Sequence, residues 1–401
     1  MKPAQENDPI LIAGGGIGGM AAALALGRKG HAVHVLEQSD GFGEVGAGIQ
    51  IAPNAFRMFK ALGITDAIND VAVKPDNLVM MDALDGSEIT RVPLNDELFK
   101  EHFEFPYAVI YRPDLHRVLM DACNALPNVR LTTGVKVAGF AQHGGAVVVT
   151  TASGDQIISG ALIGCDGLWS AARAQIVGDG RPRVSGHIAY RAVLPTADVP
   201  DANKVNDVVL WAGPKTHLVH YPLHRGDIFN LVSVFHSDRY EEGWDVFGDV
   251  AELQERFAGQ HHNVLGMLDR IESWRMWVLC DREPVRNWSE GNVTLVGDAA
   301  HPMLQYLAQG ACLAMEDAVC LAGCIDACDQ FAEAFTDYQS KRYLRTARVQ
   351  LTARLYGDIY HAADATADLR KLMLAGRAPG QAYQGMKWLY DGVDENGVQQ
   401  C

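Results

Sequence analysis

The sequence has fewer basic than acidic residues: 34 Lys and Arg stand against 49 Asp and Glu, which gives a net charge of −15. A chain this acidic is repelled by nucleic acid and by anionic lipid, so neither is an expected partner. Low-complexity segments and internal repeats are also missing, and 48% of the 401 residues are hydrophobic. This composition excludes disordered and fibrous proteins and favours two or three packed domains that bind a small molecule.

The chain also lacks the marks of export. Residues 10–26 are apolar, but they contain five glycines and follow Glu6 and Asp8 rather than a basic segment. We therefore expect neither a signal peptide nor a transmembrane segment. The eight cysteines include no C-x-x-C pair, which favours reduced thiols and a cytoplasmic location.

Spacings typical of metal sites are missing as well, and no metal is expected. Cys320, Cys324 and Cys328 share one helical stripe, but without an evident fourth ligand this spacing is more typical of small side chains packing on a helix face. Five histidines occur without the H-E-x-x-H spacing of a zinc helix, namely His217, His220, His224, His261 and His262.

Residues 10–37 (ILIAGGGIGGMAAALALGRKGHAVHVLE) combine a buried strand, a glycine-rich turn, a helix and a second strand that ends on an acid. Gly14, Gly16 and Gly19 occupy the G-x-G-x-x-G positions. The first permits the tight turn, the second admits a pyrophosphate close to the backbone, and the third lets helix and strand pack closely. Glu37 ends the second strand where a ribose 2′-hydroxyl is bound in such folds. The stretch therefore predicts a dinucleotide site.

Two further motifs follow buried strands. One runs Asp166-Gly-Leu-Trp-Ser-Ala-Ala-Arg173, and the other runs Gly297-Asp298-Ala-Ala-His-Pro302. An aspartate at the carboxyl end of a strand is well placed to accept hydrogen bonds from a ribose or ribityl hydroxyl. Each motif also has a purely structural interpretation, because Asp-Gly is a common turn and Gly-Asp can cap a helix. No second G-x-G-x-x-G occurs.

The pattern of predicted elements changes twice along the chain. Period-two runs joined by Pro and Gly turns predict an antiparallel sheet in the middle of the chain, and helical periodicity dominates its end. We interpret this as a dinucleotide-binding domain (1–74, 108–183 and 282–330), an inserted substrate domain (75–107 and 184–281) and a helical C-terminal region (331–401).

In this order the three motifs resemble the FAD-dependent aromatic hydroxylases, single-component class A flavoprotein monooxygenases. The resemblance implies a Rossmann-like, p-hydroxybenzoate hydroxylase-like α/β fold with an inserted antiparallel substrate sheet. It also implies FAD as cofactor, NADH and O2 as co-substrates, and a homodimer. In that family the Asp-Gly motif serves both FAD and the nicotinamide, which fits the single glycine fingerprint.

The resemblance also carries over cofactor-binding roles. Arg112, in Tyr111-Arg112-Pro113-Asp114-Leu115, matches the family arginine near the flavin, and Asp298 matches the aspartate that contacts the ribityl chain. The full set of residues predicted to bind the cofactor is Gly14, Gly16, Gly19, Glu37, Arg112, Asp166, Gly297, Asp298, Pro302 and Gly310.

A phenol is hydroxylated more readily when it is deprotonated, so a base beside its oxygen is expected. His217 and Tyr221 lie on one face of a predicted strand, roughly 13 Å apart at about 3.3 Å per residue, a spacing able to bracket an aromatic acid. The strand alone equally allows a solvated histidine and a core tyrosine.

The run from Gly297 to Gly310 resembles the 3-hydroxybenzoate 6-hydroxylases, which carry a glutamine at the place of Gln305 and a His-x-x-x-Tyr pair in the substrate sheet. This closer resemblance implies conversion of 3-hydroxybenzoate to 2,5-dihydroxybenzoate (gentisate) through a flavin C4a-hydroperoxide. His217 and Gln305 would then act on the phenolic oxygen and Tyr221 would position the ring. Met303 departs from the proline that some members carry. The alternatives are salicylate or 6-hydroxynicotinate hydroxylation, an NAD-dependent dehydrogenase, and a non-catalytic nucleotide-binding protein.

Overall fold

The computed structural model describes residues 9–42, 47–238 and 247–399. Its strands in chain order are β1 (Ile10–Ala13), β2 (Val33–Leu36), β3 (Gly48–Ile51), β4 (Asn77–Asp82), β5 (Glu88–Pro93), β6 (Ala108–Tyr111), β7 (Val129–Thr132), β8 (Val137–His143), β9 (Ala146–Thr151), β10 (Gln156–Ser159), β11 (Leu162–Gly164), β12 (Arg183–Pro195), β13 (Val208–Gly213), β14 (Thr216–Leu223), β15 (Ile228–His236), β16 (Arg275–Asp281), β17 (Ser289–Glu290) and β18 (Val293–Leu295).

The α-helices are α1 (Ile17–Arg28), α2 (Pro53–Leu62), α3 (Thr65–Val71), α4 (Glu97–His102), α5 (Arg112–Asn124), α6 (Ala171–Ile176), α7 (Val250–Arg256), α8 (His262–Leu268), α9 (Gly310–Ala327), α10 (Phe331–Tyr360), α11 (Asp364–Leu374) and α12 (Pro379–Tyr390). Helix α1 is buried from Met20 to Gly27, as its apolar, alanine-rich sequence requires. Cys320 and Cys324 pack in the same core, as the helix-face interpretation predicts.

One sheet has the strand order β17-β18-β11-β1-β2-β7 within the described residues. Its pairs are parallel except β17 with β18. Parallel strands have their carboxyl ends at the same edge. Gly14, Glu37, Asp166 and Gly297 follow β1, β2, β11 and β18 closely, so the sequence motifs converge on this edge.

A second sheet has the order β16-β12-β15-β14-β13-β4-β5 in the part of the chain that the structure describes. It is antiparallel, as predicted, except that β13 runs parallel to β4, a strand from the earlier segment of the chain. One face packs on α7 and α8 through Tyr190, Leu218 and Phe235. Alternation places His217, Val219 and Tyr221 of β14 on the other face.

A buried ion-pair network joins α9 to α10. Arg342 Nε donates to Asp317 Oδ1 at 2.7 Å, and Arg345 Nη2 donates to Glu316 Oε1 at 2.8 Å. All four side chains are almost fully buried. Charges at such depth persist only when they are paired, so this network fixes the long C-terminal helix against the first domain.

Candidate active site

The glycine-rich turn has the close contacts that its sequence predicts. Gly14 has a φ of +105°, and a Cβ there would lie 2.3 Å from the carbonyl oxygen of Cys165. A Cβ on Gly19 would lie 1.9 Å from the carbonyl oxygen of Gly14. Gly16 is the N-cap of α1, and no side chain among the described residues caps that end of the helix. The first-turn N–H groups of α1 are therefore left for an anionic ligand.

Glu37 lies against this turn. Its Oε2 accepts a hydrogen bond from the Gly15 N–H at 2.7 Å, and its Oε1 accepts one from the Ser39 N–H at 2.8 Å. The acid that ends β2 thus holds the glycine-rich turn and the loop after β2 in one arrangement.

Asp166 has one satisfied and one unsatisfied oxygen. Oδ2 accepts from the Ala171 N–H at 2.8 Å, whereas Oδ1 is buried with no hydrogen-bond partner among the described residues. Burial raises the pKa of this carboxyl. An unpaired buried acceptor at the carboxyl end of a strand matches a ligand that brings a hydroxyl group to it.

Asp298 lies nearby, at the start of the turn after β18. Its side chain is exposed at the protein surface, yet partial removal of water by the surrounding protein raises the pKa of its carboxyl. The charges of His301 and Arg112 oppose this shift. A Cβ on Gly310 would lie 3.9 Å from Asp298 Oδ1. Gly310 begins α9, which also has no side-chain cap within the described residues. A second helix N-terminus therefore faces the same edge.

Arg173 links the two aspartate motifs. Its Nη1 donates to the carbonyl oxygens of Ala299 and Ala300, while its Nε and Nη2 bind Asp179. The sequence motif contained this arginine without indicating its role, because its partners lie 126 and 127 residues away.

The Gly297 to Pro302 turn is also held from α9 and α10. Asp317 Oδ2 accepts from the Gly297 N–H at 3.0 Å and contacts His301 Nε2 at 2.6 Å. The amide of Gln350 donates to the carbonyl oxygen of Pro302 at 3.0 Å. Asp317 and Gln350 are thus positioning residues that sequence reasoning missed.

His217 is buried on the face of β14 opposite the α7–α8 core, with 3% of its surface exposed. Its Nδ1 lies 2.7 Å from His361 Nε2, and its ring lies 5.6 Å from each of the Tyr306 and Tyr360 rings. Burial, helped by His187, lowers the pKa of His217 to about 3. The imidazole is therefore neutral at pH 7.

Gln305 is hydrogen-bonded to an arginine that the sequence analysis did not identify. Arg191 of β12 donates through Nη2 to Gln305 Oε1, and its guanidinium carbon lies 5.0 Å from the centre of the Trp277 ring. Arg191 also opposes the burial that raises the pKa of Tyr221. A lone arginine inside the apolar run of β12 is the signal that could have found it.

Arg191 carries an unsatisfied donor. Its Nε is buried without a partner in the described part of the chain. Burial first, and then the charge of Arg112, lowers the pKa of the Arg191 guanidinium to about 10. The guanidinium remains charged at pH 7, so this pocket favours an anionic group.

A family model described as an FAD binding domain matches residues 7–349. A 3-hydroxybenzoate 6-hydroxylase of Klebsiella oxytoca is 45% identical over 388 residues, which cover 96% of this chain and 97% of that protein. The 3-hydroxybenzoate 6-hydroxylase of Polaromonas naphthalenivorans (strain CJ2) is 46% identical, with 95% of each chain covered. The chain belongs to the FAD-dependent aromatic hydroxylases.

Solved structures show the same fold for this hydroxylase. Klebsiella pneumoniae HpxO, complexed with FAD and uric acid, superposes with a TM-score of 0.82 at 24% identity, covering 94% of this chain and 95% of that chain. A salicylate hydroxylase substrate complex gives a TM-score of 0.80 at 24% identity, with 98% of each chain covered. The Rossmann-like α/β fold expected from the sequence is confirmed.

The residues of the hydroxylase fit FAD. Two uncapped helix N-termini, the unpaired Asp166 Oδ1 and the side chain of Asp298 line the edge where the parallel strands end. Arg112 lies close enough to oppose the raised pKa of Asp298 and to lower that of Arg191. The charge of Arg112 therefore acts both on the cofactor edge and on Arg191.

The structure gives His217, His220 and His224 separate partners, whereas the rings of His261 and His262 lie 4.1 Å apart. His220 accepts from Trp211 Nε1 at 3.2 Å, and His224 Nε2 lies 2.9 Å from Asp114 Oδ2. Among the described residues, His187, His236 and His361 form a group whose ring nitrogens lie within 4.8 Å of one another, and His217 contacts His361. A search of the described helices of the hydroxylase finds no membrane-spanning candidate.

Proposed function

We propose that the enzyme hydroxylates 3-hydroxybenzoate para to its hydroxyl group and releases 2,5-dihydroxybenzoate, with NADH and O2 as co-substrates. Relatives named 3-hydroxybenzoate 6-hydroxylase match the chain over nearly its whole length. The observation that carries the proposal is a cluster of polar side chains on one face: neutral His217 and the Arg191–Gln305 pair lie on the side of the second sheet that bears Tyr221.

FAD would be held at the edge of the parallel sheet. Gly14, Gly16 and Gly19 allow the pyrophosphate to approach α1, and Glu37 lies where the adenosine ribose is expected. Asp166, Gly297, Asp298, Pro302 and Gly310 would form the flavin side, with Arg112 between flavin and substrate. Bound FAD supplies the redox chemistry, accepting reducing equivalents from NADH and activating dioxygen.

His217 would act on the phenolic oxygen of the substrate. Its Nδ1 is occupied by His361, which leaves Nε2 to accept the phenolic proton. Gln305 would hydrogen-bond the same oxygen through its amide. Loss of the phenolic proton raises the electron density at the para carbon, where the new hydroxyl group is placed.

The carboxylate of the substrate would bind Arg191. Its unpaired Nε and its Nη2 are adjacent donors of one guanidinium, and a planar fork of this kind matches a carboxylate. Tyr221, which packs against Gly48, would position the ring between the carboxylate and His217. A Cβ on Gly48 would lie 2.6 Å from Tyr221 Cε2, so this wall of the pocket is closely packed.

A homodimer and a cytoplasmic location belong to the same proposal. Leu344, Leu351 and Leu355 form an exposed stripe on α10, and Leu369 and Leu372 are exposed on α11. Exposed apolar stripes of this extent are typical of protein interfaces. Light scattering on the FAD-loaded protein measures the oligomeric state directly.

The second candidate is hydroxylation of a heteroaromatic acid. A 6-hydroxynicotinate 3-monooxygenase of Pseudomonas fluorescens is 31% identical over 351 residues, and its named substrate also combines an acid with a ring hydroxyl. The FAD-binding family favours either hydroxylase over the dehydrogenase and the non-catalytic alternatives.

The test is to purify the FAD-loaded protein, add NADH in air with 2-, 3- or 4-hydroxybenzoate or 6-hydroxynicotinate, and identify the products by mass spectrometry. We expect 2,5-dihydroxybenzoate from 3-hydroxybenzoate alone. A hydroxylated product from another acid would show that the substrate assignment is wrong and the hydroxylase activity correct. Replacing NADH by NADPH tests the nicotinamide preference.

A further inference from the structure

Three histidines form a continuous hydrogen-bonded chain that leads away from His217. His217 Nδ1 lies 2.7 Å from His361 Nε2, and His361 Nδ1 lies 3.0 Å from His236 Nε2. His217 and His361 are buried, with 3% and 6% of their surfaces exposed, whereas His236 is only partly buried. Both ring nitrogens of His361 are therefore in hydrogen-bond contact with another histidine, and His236 forms the end of this row that is near solvent.

The backbone fixes these three rings relative to one another. His361 caps the C-terminus of α10, and its carbonyl oxygen accepts from the Lys215 N–H at 3.0 Å. The Lys215 carbonyl oxygen in turn accepts from the His236 N–H at 3.1 Å. The long C-terminal helix and the β14–β15 pair are thus tied together at the place where the imidazoles meet.

In the hydrogen-bonded row of three histidines, the surroundings disfavour a positive charge on the two buried imidazoles. Burial lowers the pKa of His217 to about 3 and places the pKa of His361 far below its ordinary value. Burial, Lys215 and Arg256 lower the pKa of His236, and the charge of Asp358 opposes them. The C-terminus of α10 also favours positive charge at His361. The buried imidazoles therefore rest in their neutral forms, and a proton received at one nitrogen of a ring is accompanied by release from the other.

We propose that His217, His361 and His236 form a proton relay that carries the phenolic proton of the bound substrate from the pocket to solvent. This inference rests on the proposed function. The phenolic O–H bond breaks as a bond forms to His217 Nε2, and the proton on His217 Nδ1 passes to His361 Nε2. The proton on His361 Nδ1 passes to His236 Nε2, and His236 releases its Nδ1 proton to water.

No electrons move in this sequence, and each imidazole ends in its other neutral tautomer. When the same oxygen is protonated again in the product, the transfers run in reverse and restore the starting tautomers. The relay therefore returns to its initial state in each catalytic cycle.

A metal ion is a less favourable interpretation of the same histidines. One ring nitrogen each of His187, His236 and His361 lies within 4.8 Å of the others, but the rings of His187 and His236 are stacked, with centroids 4.2 Å apart and planes inclined by 27°. His187 Nδ1 is hydrogen-bonded to the Tyr306 hydroxyl, and both nitrogens of His361 contact other histidines. A bound ion would have to displace these contacts.

The test compares the FAD-loaded wild-type enzyme with His361→Gln and His236→Gln. Glutamine keeps hydrogen-bonding atoms but cannot pass a proton between two ring nitrogens. Stopped-flow absorbance follows formation of the substrate phenolate when 3-hydroxybenzoate binds, in H2O and in D2O. The control is His220→Gln, a buried histidine on the opposite face of β14 whose ring bonds Trp211.

We expect phenolate formation to slow roughly 100-fold in His361→Gln, the scale of a lost acid–base step, and less in His236→Gln, because water can reach that end. Added imidazole should restore part of the rate in His236→Gln, and the control should match the wild type. A purely structural role for His236 would not give imidazole rescue or change the solvent isotope effect.

Unchanged phenolate formation in both variants, with hydroxylation by the wild type intact, would overturn the relay alone. Stoichiometric zinc, nickel or copper in the purified protein, lost in His361→Gln, would also overturn it, because metal-bound imidazoles do not pass protons. If the wild type hydroxylates none of the phenolic acids, the proposed function fails and the relay fails with it.

Discussion

Arg173, in the helix after β11, donates through Nη1 to the carbonyl oxygen of Ala299, in the turn after β18, at 3.0 Å. Its side chain is almost fully buried, with 1% exposed, and also binds Asp179. One guanidinium therefore sets the spacing between Asp166 and Asp298, the two acids proposed to bind the cofactor from neighbouring strands.

Replacing Arg173 should weaken both the fold and FAD binding. Arg173→Ala removes a buried donor from the carbonyl oxygens of Ala299 and Ala300 and leaves Asp179 paired with Arg282 alone, and breaking a buried ion pair costs roughly 3–5 kcal/mol. We expect a lower melting temperature and loss of bound flavin on dilution. Arg117→Ala is the control, since this arginine is half exposed and pairs with Asp114 on the same helix. Equal melting temperatures for the two variants would contradict the role of Arg173.

Glu37 should contribute to FAD retention. Glu37→Ala removes the acceptor for the Gly15 and Ser39 N–H groups, and a hydrogen bond to a charged group is worth roughly 1.5–3 kcal/mol. Equilibrium dialysis should show FAD affinity lowered roughly tenfold or more. Glu97→Ala, at an exposed position of α4, serves as the control. Unchanged FAD occupancy after extensive dilution would count against a ribose contact at Glu37.

His217 and Gln305 should affect hydroxylation more than cofactor binding. In His217→Ala we expect hydroxylation of 3-hydroxybenzoate to fall roughly 100-fold, and in Gln305→Ala by about tenfold, with FAD content unchanged. His262→Ala, at an exposed position of α8, is the control. Product formation at the wild-type rate in both variants would show that the phenolic oxygen binds elsewhere.

Arg191 should determine the preference of the enzyme for a substrate that carries a carboxylate. Arg191→Met removes the guanidinium while keeping an extended side chain, so KM for 3-hydroxybenzoate should rise roughly tenfold or more, with a smaller effect on kcat. The uncharged analogue 3-hydroxybenzamide provides the comparison. If the two compounds respond equally to the substitution, Arg191 does not bind the carboxylate.

The buried histidines should make the protein sensitive to mild acid. Burial lowers the pKa of His220 and of His187 to about 4. Below about pH 6.5 the unfolded chain binds protons that the folded chain does not, so the free energy of unfolding falls as the pH drops toward 4. The free energy of unfolding is fully regained above about pH 6.5, the pKa of a histidine in the unfolded chain. Urea denaturation between pH 4.5 and 7.5 measures this slope.

His220→Gln should make that slope shallower, because one buried group that resists protonation is gone. The pKa values of Asp166 and Asp298 are raised in the folded protein, so these two carboxyls take up protons more readily when folded and favour the folded state as the pH falls. A substitution at either aspartate should therefore steepen the loss of stability in acid. A slope identical in His220→Gln and wild type would show that His220 is not buried in its neutral form.

Much of the cofactor edge could be predicted from the sequence. The glycines of 14–19, Glu37 and the two aspartate motifs each lie within a few residues of the strand that positions them, and parallel pairing brings the strand ends together. The cluster proposed to bind the substrate could be anticipated only in part. His217 and Tyr221 follow from the alternation of one strand, whereas Arg191 carried no motif and its contact with Gln305 spans 114 residues.

The sequence by itself determined which strands end in glycine or acid, which face of β14 carries His217, and hence the family, because turn sterics and strand periodicity act over a few residues. Only the tertiary structure decided that Arg173 joins the two aspartate motifs, that Arg191 reaches Gln305, and that His361 meets His217 across 144 residues. These contacts depend on how α10 and the second sheet pack on the first, and packing distances of a few ångströms are not encoded in any local pattern.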